Sequence, residues 1–106
     1  LMVFDNGLRH TPPHTRAAEY AIDEVHKTAT LVWEYEPQPM VFASFIGSAE
    51  RLSNGNTVIG FGAVGQIDEV DPVNNLLGRA FFKEGGKTAL FYRAYRLPTL
   101  YKYQAP

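Results

Sequence analysis

Glu19-Tyr20-Ala21-Ile22-Asp23, then Glu24-Val25-His26-Lys27, then Thr28-Ala29-Thr30-Leu31-Val32-Trp33-Glu34-Tyr35 is the stretch on which the fold turns. Its second half alternates. Leu31, Trp33 and Tyr35 fall on one face and Thr30, Val32 and Glu34 on the other, the two-residue period of a strand. A helix over Thr15 to Lys27 competes with this, since Arg16-Ala17-Ala18-Glu19 are good helix formers. That helix would set Tyr20 beside Glu24 and Ile22 beside His26, which makes a poor apolar stripe. Two strands, 17–23 and 29–35, joined by a short turn are therefore expected.

Outward from this hairpin the chain is broken at short intervals. Asn6-Gly7, Pro12-Pro13, Pro37-Gln38-Pro39, Asn54-Gly55-Asn56, Asp71-Pro72 with Asn74-Asn75, and Gly85-Gly86 are all turn signals. Runs rich in Val, Ile, Phe, Tyr, Trp and Thr lie between them, the spacing of antiparallel all-β folds. Strands are expected at about 1–5, 17–23, 29–35, 42–46, 49–53, 57–61, 66–70, 76–82 and 89–96. A weak repeat links 19–34 to 67–79, each reading as strand, Asp-marked turn, strand, about fifty residues apart. Four short strands per unit at that period is the signature of a propeller blade.

The expected fold is all-β, with antiparallel four-stranded propeller-type blades, about two of them, as a fragment of a larger β-propeller. Residues 1–41 supply the last strands of one blade, 42–84 a full blade, and 85–106 a closing strand and tail. Leu1-Met2-Val3-Phe4 opens the chain inside a strand, which fits a piece of something longer. Open blades would leave Leu31, Trp33, Ile59, Phe61, Phe81 and Phe82 partly uncovered, so association with a second copy or with the rest of a parent chain is expected.

Composition narrows the function. Of 106 residues, 45% are hydrophobic, enough for a core. Ten basic and eleven acidic residues give a net charge of −1, which offers no field to gather phosphate and argues against nucleic acid. No apolar run reaches the roughly 20 residues of a membrane span. With no cysteine there is no disulfide, thiolate zinc site or thiol nucleophile.

The richest polar segment is Asp5-Asn6-Gly7-Leu8-Arg9-His10-Thr11-Pro12-Pro13-His14-Thr15-Arg16. Loops of this kind build propeller sites. His10 and His14 are four apart, but two prolines between them prevent a helical metal pair, so no metal or cofactor is expected. His26 reads as a solvated turn residue beside Glu24 and Lys27. Glu19, Asp23, Asp68, Glu69 and Asp71 read as hairpin punctuation and solvated faces, and Trp33 with Tyr35 as blade packing. Gly60-Phe61-Gly62-Ala63-Val64-Gly65 lacks the following helix of a dinucleotide loop and reads as a relaxed strand crossover. Tyr92, Tyr95, Tyr101 and Tyr103 interleave with Arg93, Arg96 and Lys102, a pattern read as a closing strand rather than a nucleic-acid platform.

Val3-Phe4-Asp5-Asn6-Gly7, then Thr15-Arg16-Ala17-Ala18-Glu19-Tyr20-Ala21-Ile22-Asp23 and Val32-Trp33-Glu34-Tyr35, resembles the arylsulfotransferase family. Gly47-Ser48-Ala49-Glu50-Arg51-Leu52-Ser53-Asn54-Gly55-Asn56-Thr57 and Gln66-Ile67-Asp68-Glu69-Val70-Asp71 extend the likeness, which runs over about residues 2 to 97. The resemblance implies a propeller that moves a sulfuryl group from a phenyl sulfate to a phenol through a transiently sulfated histidine. It implies aryl sulfate and phenol partners, and an extracellular or periplasmic place. It puts Asn6, Arg9 and Arg16 at positions that line the sulfate pocket. The family's nucleophile precedes the Phe-Asp-Asn-Gly strand, and none of His10, His14 and His26 matches it, so no catalytic residue is assigned. Many family members carry Gln where Glu50 stands. A non-catalytic propeller-type binding module is the rival reading. A quinone-dependent dehydrogenase propeller is a weaker one, since Trp33 is the only tryptophan.

Overall fold

The computed structural model describes residues 1–92 and 94. Among them the secondary structure is antiparallel β with one 3-10 turn. β1 (Met2–Asp5), β2 (Arg16–Asp23) and β3 (Thr28–Tyr35) form a three-stranded sheet in chain order. β4 (Ser48–Arg51), β5 (Thr57–Phe61), β6 (Gln66–Val70) and β7 (Leu76–Phe81) form a four-stranded sheet, also in chain order. β8 (Lys83–Glu84) and β9 (Lys87–Thr88) make a small hairpin around Gly85-Gly86. No helix of the described residues is long and apolar enough to cross a membrane.

The two Asp-marked turns are built alike. Asp23 Oδ1 accepts the amides of Val25 and His26, and Asp71 Oδ1 those of Val73 and Asn75. A carboxylate that satisfies its own turn in this way reverses the chain without further help. β3 and β7, the last strand of each sheet, also carry a register shift, one facing Glu19/Tyr20 and one facing Glu69/Val70. An irregular outer strand is a poor template for further pairing.

Ala17 and Tyr35 of the first sheet pack with Ile59, Phe61 and Val70 of the second and Ala43 of the linker. Phe4 meets Phe61 edge-on at 5.7 Å. The sheets therefore cover each other's inner faces. Ile59 and Phe61 are fully buried, against the expectation that they stay partly uncovered. Leu31, Phe81 and Phe82 are exposed as expected, and Trp33 is half-buried under the Arg51 guanidinium, 5.1 Å from its ring centre.

Three expected backbone conformations also differ. The apolar run 42–46 is not a strand. Side chains hold it instead: Ala43 N–H donates to Thr15 Oγ1 at 2.7 Å, and Ala43 O accepts from Asn6 Nδ2 at 2.8 Å. With both backbone groups of Ala43 satisfied there, a ladder gains nothing. Residues 60–65 are no crossover. They are a tight reversal from β5 to β6 through a 3-10 turn over Gly62–Val64, closed by Gly65 at φ 68°. Residues 89–92 and 94 are not strand either, and Phe91 N–H donates to Gly62 O at 3.3 Å. The remainder of the expected closing strand and the aromatic-basic tail lie outside the described residues.

Candidate functional site

Asp5 ends β1 directly opposite Arg16, the first residue of β2. Its Oδ2 accepts from Arg16 Nε at 2.9 Å and lies 3.0 Å from His10 Nε2, while its Oδ1 accepts the Gly7 amide at 2.9 Å. Partial burial pushes this carboxyl up. The hydrogen bonds from Arg16, His10 and Gly7 outweigh it and hold the group below the usual aspartate value, so it is ionised.

The loop between these strands folds tightly on itself. Gly7 sits at φ 81° and is buried, and a Cβ there would lie 1.6 Å from the His14 carbonyl oxygen. Only glycine permits both the left-handed backbone and that approach. Thr15 Oγ1 donates to Asn6 O at 2.9 Å, tying the loop ends together. As a result the His10 and His14 rings stack, with centres 4.4 Å apart. His14 faces an acceptor at each nitrogen, Pro12 O at 2.8 Å and Glu36 Oε1 at 3.2 Å. The Pro12 carbonyl, opposed by burial and aided by Glu36, raises its pKa. Two acceptors suit the doubly protonated ring.

An open cleft of about 420 Å3 lies beside this network, lined by Val3, Phe4, Asp5, Asn6, Gly7, Leu8, Arg9, His10 and Tyr20. Of the residues expected to bind sulfate, Asn6 and Arg9 line it and Arg16 stands behind Asp5, outside its wall. Arg9 is exposed and has no hydrogen-bond or ion-pair partner among the described residues. Asn6 gives one amide hydrogen to Ala43 O. Arg16 donates to Asp5, Glu34 and Tyr20, through three of the five N–H groups that a guanidinium carries. Its pKa is raised by the Asp5 hydrogen bond, against burial and with help from Glu34.

A second polar cluster escaped the sequence reading. Asp68, expected on a solvated face, is fully buried. It takes Arg79 Nε at 2.7 Å and Gln66 Nε2 at 3.1 Å on Oδ1, and Arg79 Nη2 and the Tyr35 hydroxyl, both at 2.9 Å, on Oδ2. Burial, then the hydrogen bond to Asp68, pushes the Tyr35 hydroxyl up to about 12, so it remains a donor. The alternation Gln66, Asp68, Val70 was the available signal, because Val70 marks the inward face.

No group of three or more His, Cys, Asp or Glu able to hold a metal ion occurs among the described residues. His26 is exposed and bonded to Asp23, as a turn residue. Comparison with protein-family models matches residues 1–96 to Arylsulfotransferase (ASST). No curated protein and no solved structure matches the chain.

Proposed function

The chain belongs to the arylsulfotransferase family, and we propose that it is the C-terminal part of a transferase moving a sulfuryl group from an aryl sulfate to a phenolic acceptor. In this reading residues 1–41 are the last strands of one propeller blade, 42–84 a complete blade and 85–106 the closing segment. Two consecutive meanders packed through Phe4 and Phe61 support that arrangement. The observation that carries the function is the family match over 1–96, joined to an Arg9 that has no partner among the described residues and lies beside Asn6 in a cleft.

The chemistry follows from the donors left over. A sulfate ester presents anionic oxygens that charged N–H groups hold strongly. Arg9 supplies the direct cationic contact. Asn6 retains one amide hydrogen for the same oxygens, and Arg16 holds from behind the Asp5 that ends β1 at the cleft. These donors stabilise the charge that shifts onto oxygen during transfer. No histidine here stands where the resemblance implies the nucleophile, so the chain by itself is inert.

A chromogenic phenyl sulfate tests this in two ways. The chain should bind it without turnover, and Arg16→Ala, which removes the charge-assisted bond that fixes Asp5 beside the cleft, should weaken binding by up to about 1.5–3 kcal/mol. Turnover that is lost on replacing His10 or His14 contradicts the inert reading. Failure to bind any aryl sulfate favours a non-catalytic binding module, for which the internal bonds of Arg16 and Asn6 are the structural support.

A further inference from the structure

We propose that His10, held by Asp5, is the group that takes the proton from the phenolic acceptor. The inference rests on the sulfuryl-transfer reading above. Asp5 is ionised and fixed by Arg16 and the Gly7 amide, and its Oδ2 receives the His10 Nε2–H at 3.0 Å. That bond sets the tautomer, which leaves the Nδ1 lone pair as the acceptor. Nδ1 has no hydrogen-bond partner among the described residues. The ring cannot turn freely, because it stacks on His14, which is itself tied to Pro12 and Glu36. It lines the same cleft as Arg9 and Asn6, with Phe4, Leu8 and Val3 as apolar wall. An aromatic alcohol therefore finds an apolar wall, a proton acceptor and a sulfuryl-binding cation within one cleft.

The step balances within the proposed reaction. The phenol O–H breaks, its proton goes to Nδ1, and the electron pair stays on oxygen. That oxygen forms the new bond to sulfur as the sulfuryl group leaves its carrier. The carrier keeps the electron pair of its broken bond to sulfur, and the proton on Nδ1 passes to the aryl oxygen that leaves the next donor ester. A base positioned by a carboxylate is the usual means of such a transfer.

Titration of the chain with phenol and with anisole, its methyl ether, tests the assignment. Phenol should bind roughly three- to tenfold more tightly than anisole, the worth of one hydrogen bond. Phenol alone should shift the His10 Nδ1 resonance. His10→Phe, which keeps the stacked ring, should make the two ligands equal. The wild-type nitrogen shift decides the matter even if that variant does not fold. A phenol preference that survives in His10→Phe, or a His10 resonance indifferent to phenol, overturns the proposal. If phenyl sulfate binds while phenol shows no preference, this inference alone fails. If neither binds, the sulfuryl-transfer reading falls with it.

Discussion

Asp5 and Asp68 are the same device in two settings. Each faces an arginine eleven residues on, directly across an antiparallel pair, and each accepts that arginine's Nε. Asp68 is sealed between the sheets, and Tyr35, Gln66 and Arg79 occupy both its oxygens. Asp5 is about 30% exposed, shares Arg16 with Glu34, and turns one oxygen to His10 on a cleft. Burial decides the outcome. A saturated, desolvated pair fixes how two sheets sit, while a half-open pair orients side chains that still have capacity to bind.

The comparison breaks most easily on stability. Asp68→Ala strands the Arg79 guanidinium and the Tyr35 hydroxyl near the core, and should cost about 3–5 kcal/mol in urea unfolding. Asp5→Ala should cost well under that, because water reaches Arg16 and His10. Equal losses would show that the two clusters do the same job.

Gly7→Ala comes next. Its left-handed backbone alone costs about 1–2 kcal/mol for a residue with a Cβ, and the His14 carbonyl must also move. The His10–His14 ring contact should disappear from the proton spectrum. An intact stack would mean that the loop does not depend on that approach.

Arg9→Ala should change stability by under about 0.5 kcal/mol, since the side chain has no partner among the described residues. Phenyl sulfate affinity should still fall about tenfold or more. A large stability loss would recast Arg9 as structural.

The smallest effect is pH-dependent and carries a sign. Asp5 has a lowered pKa, so its contribution is complete above the ordinary aspartate value of 3.8 and fades as pH falls through the lower folded value. His14 has a raised pKa, so its contribution is complete below 6.5 and fades as pH rises through the higher folded value. Asp5→Asn should remove the acid limb and His14→Gln the limb near neutrality, both read from unfolding midpoints against pH. Unchanged midpoints in either variant would separate that residue from the network.

Much of the fold was legible because its hairpins are locally encoded. Asp23 and Asp71 reverse the chain with their own carboxylates, and Asn54-Gly55 does so with a positive φ at Gly55. The run 42–46 misled because its composition is that of a strand, while its partners are the side chains of Thr15 and Asn6, nearly thirty or more residues away. Asp68 misled because Asp68-Glu69 beside a turn looks solvated; the alternation with Val70 marks it as inward, and the register that sets Arg79 opposite supplies its partner. The polar segment 5–16 was visible as a loop rich in His and Arg. The stacking of its two histidines was not, since it depends on Gly7 meeting the His14 carbonyl.

Mapping phenyl sulfate onto the chain by amide and side-chain chemical shifts tests the central claim most directly. Shifts should concentrate on Asn6, Arg9, His10 and Arg16, with Gln66, Asp68 and Arg79 silent. Shifts centred on the Asp68 cluster, or none that Arg9→Ala reduces, would contradict the assignment of the half-open cluster as the ligand site.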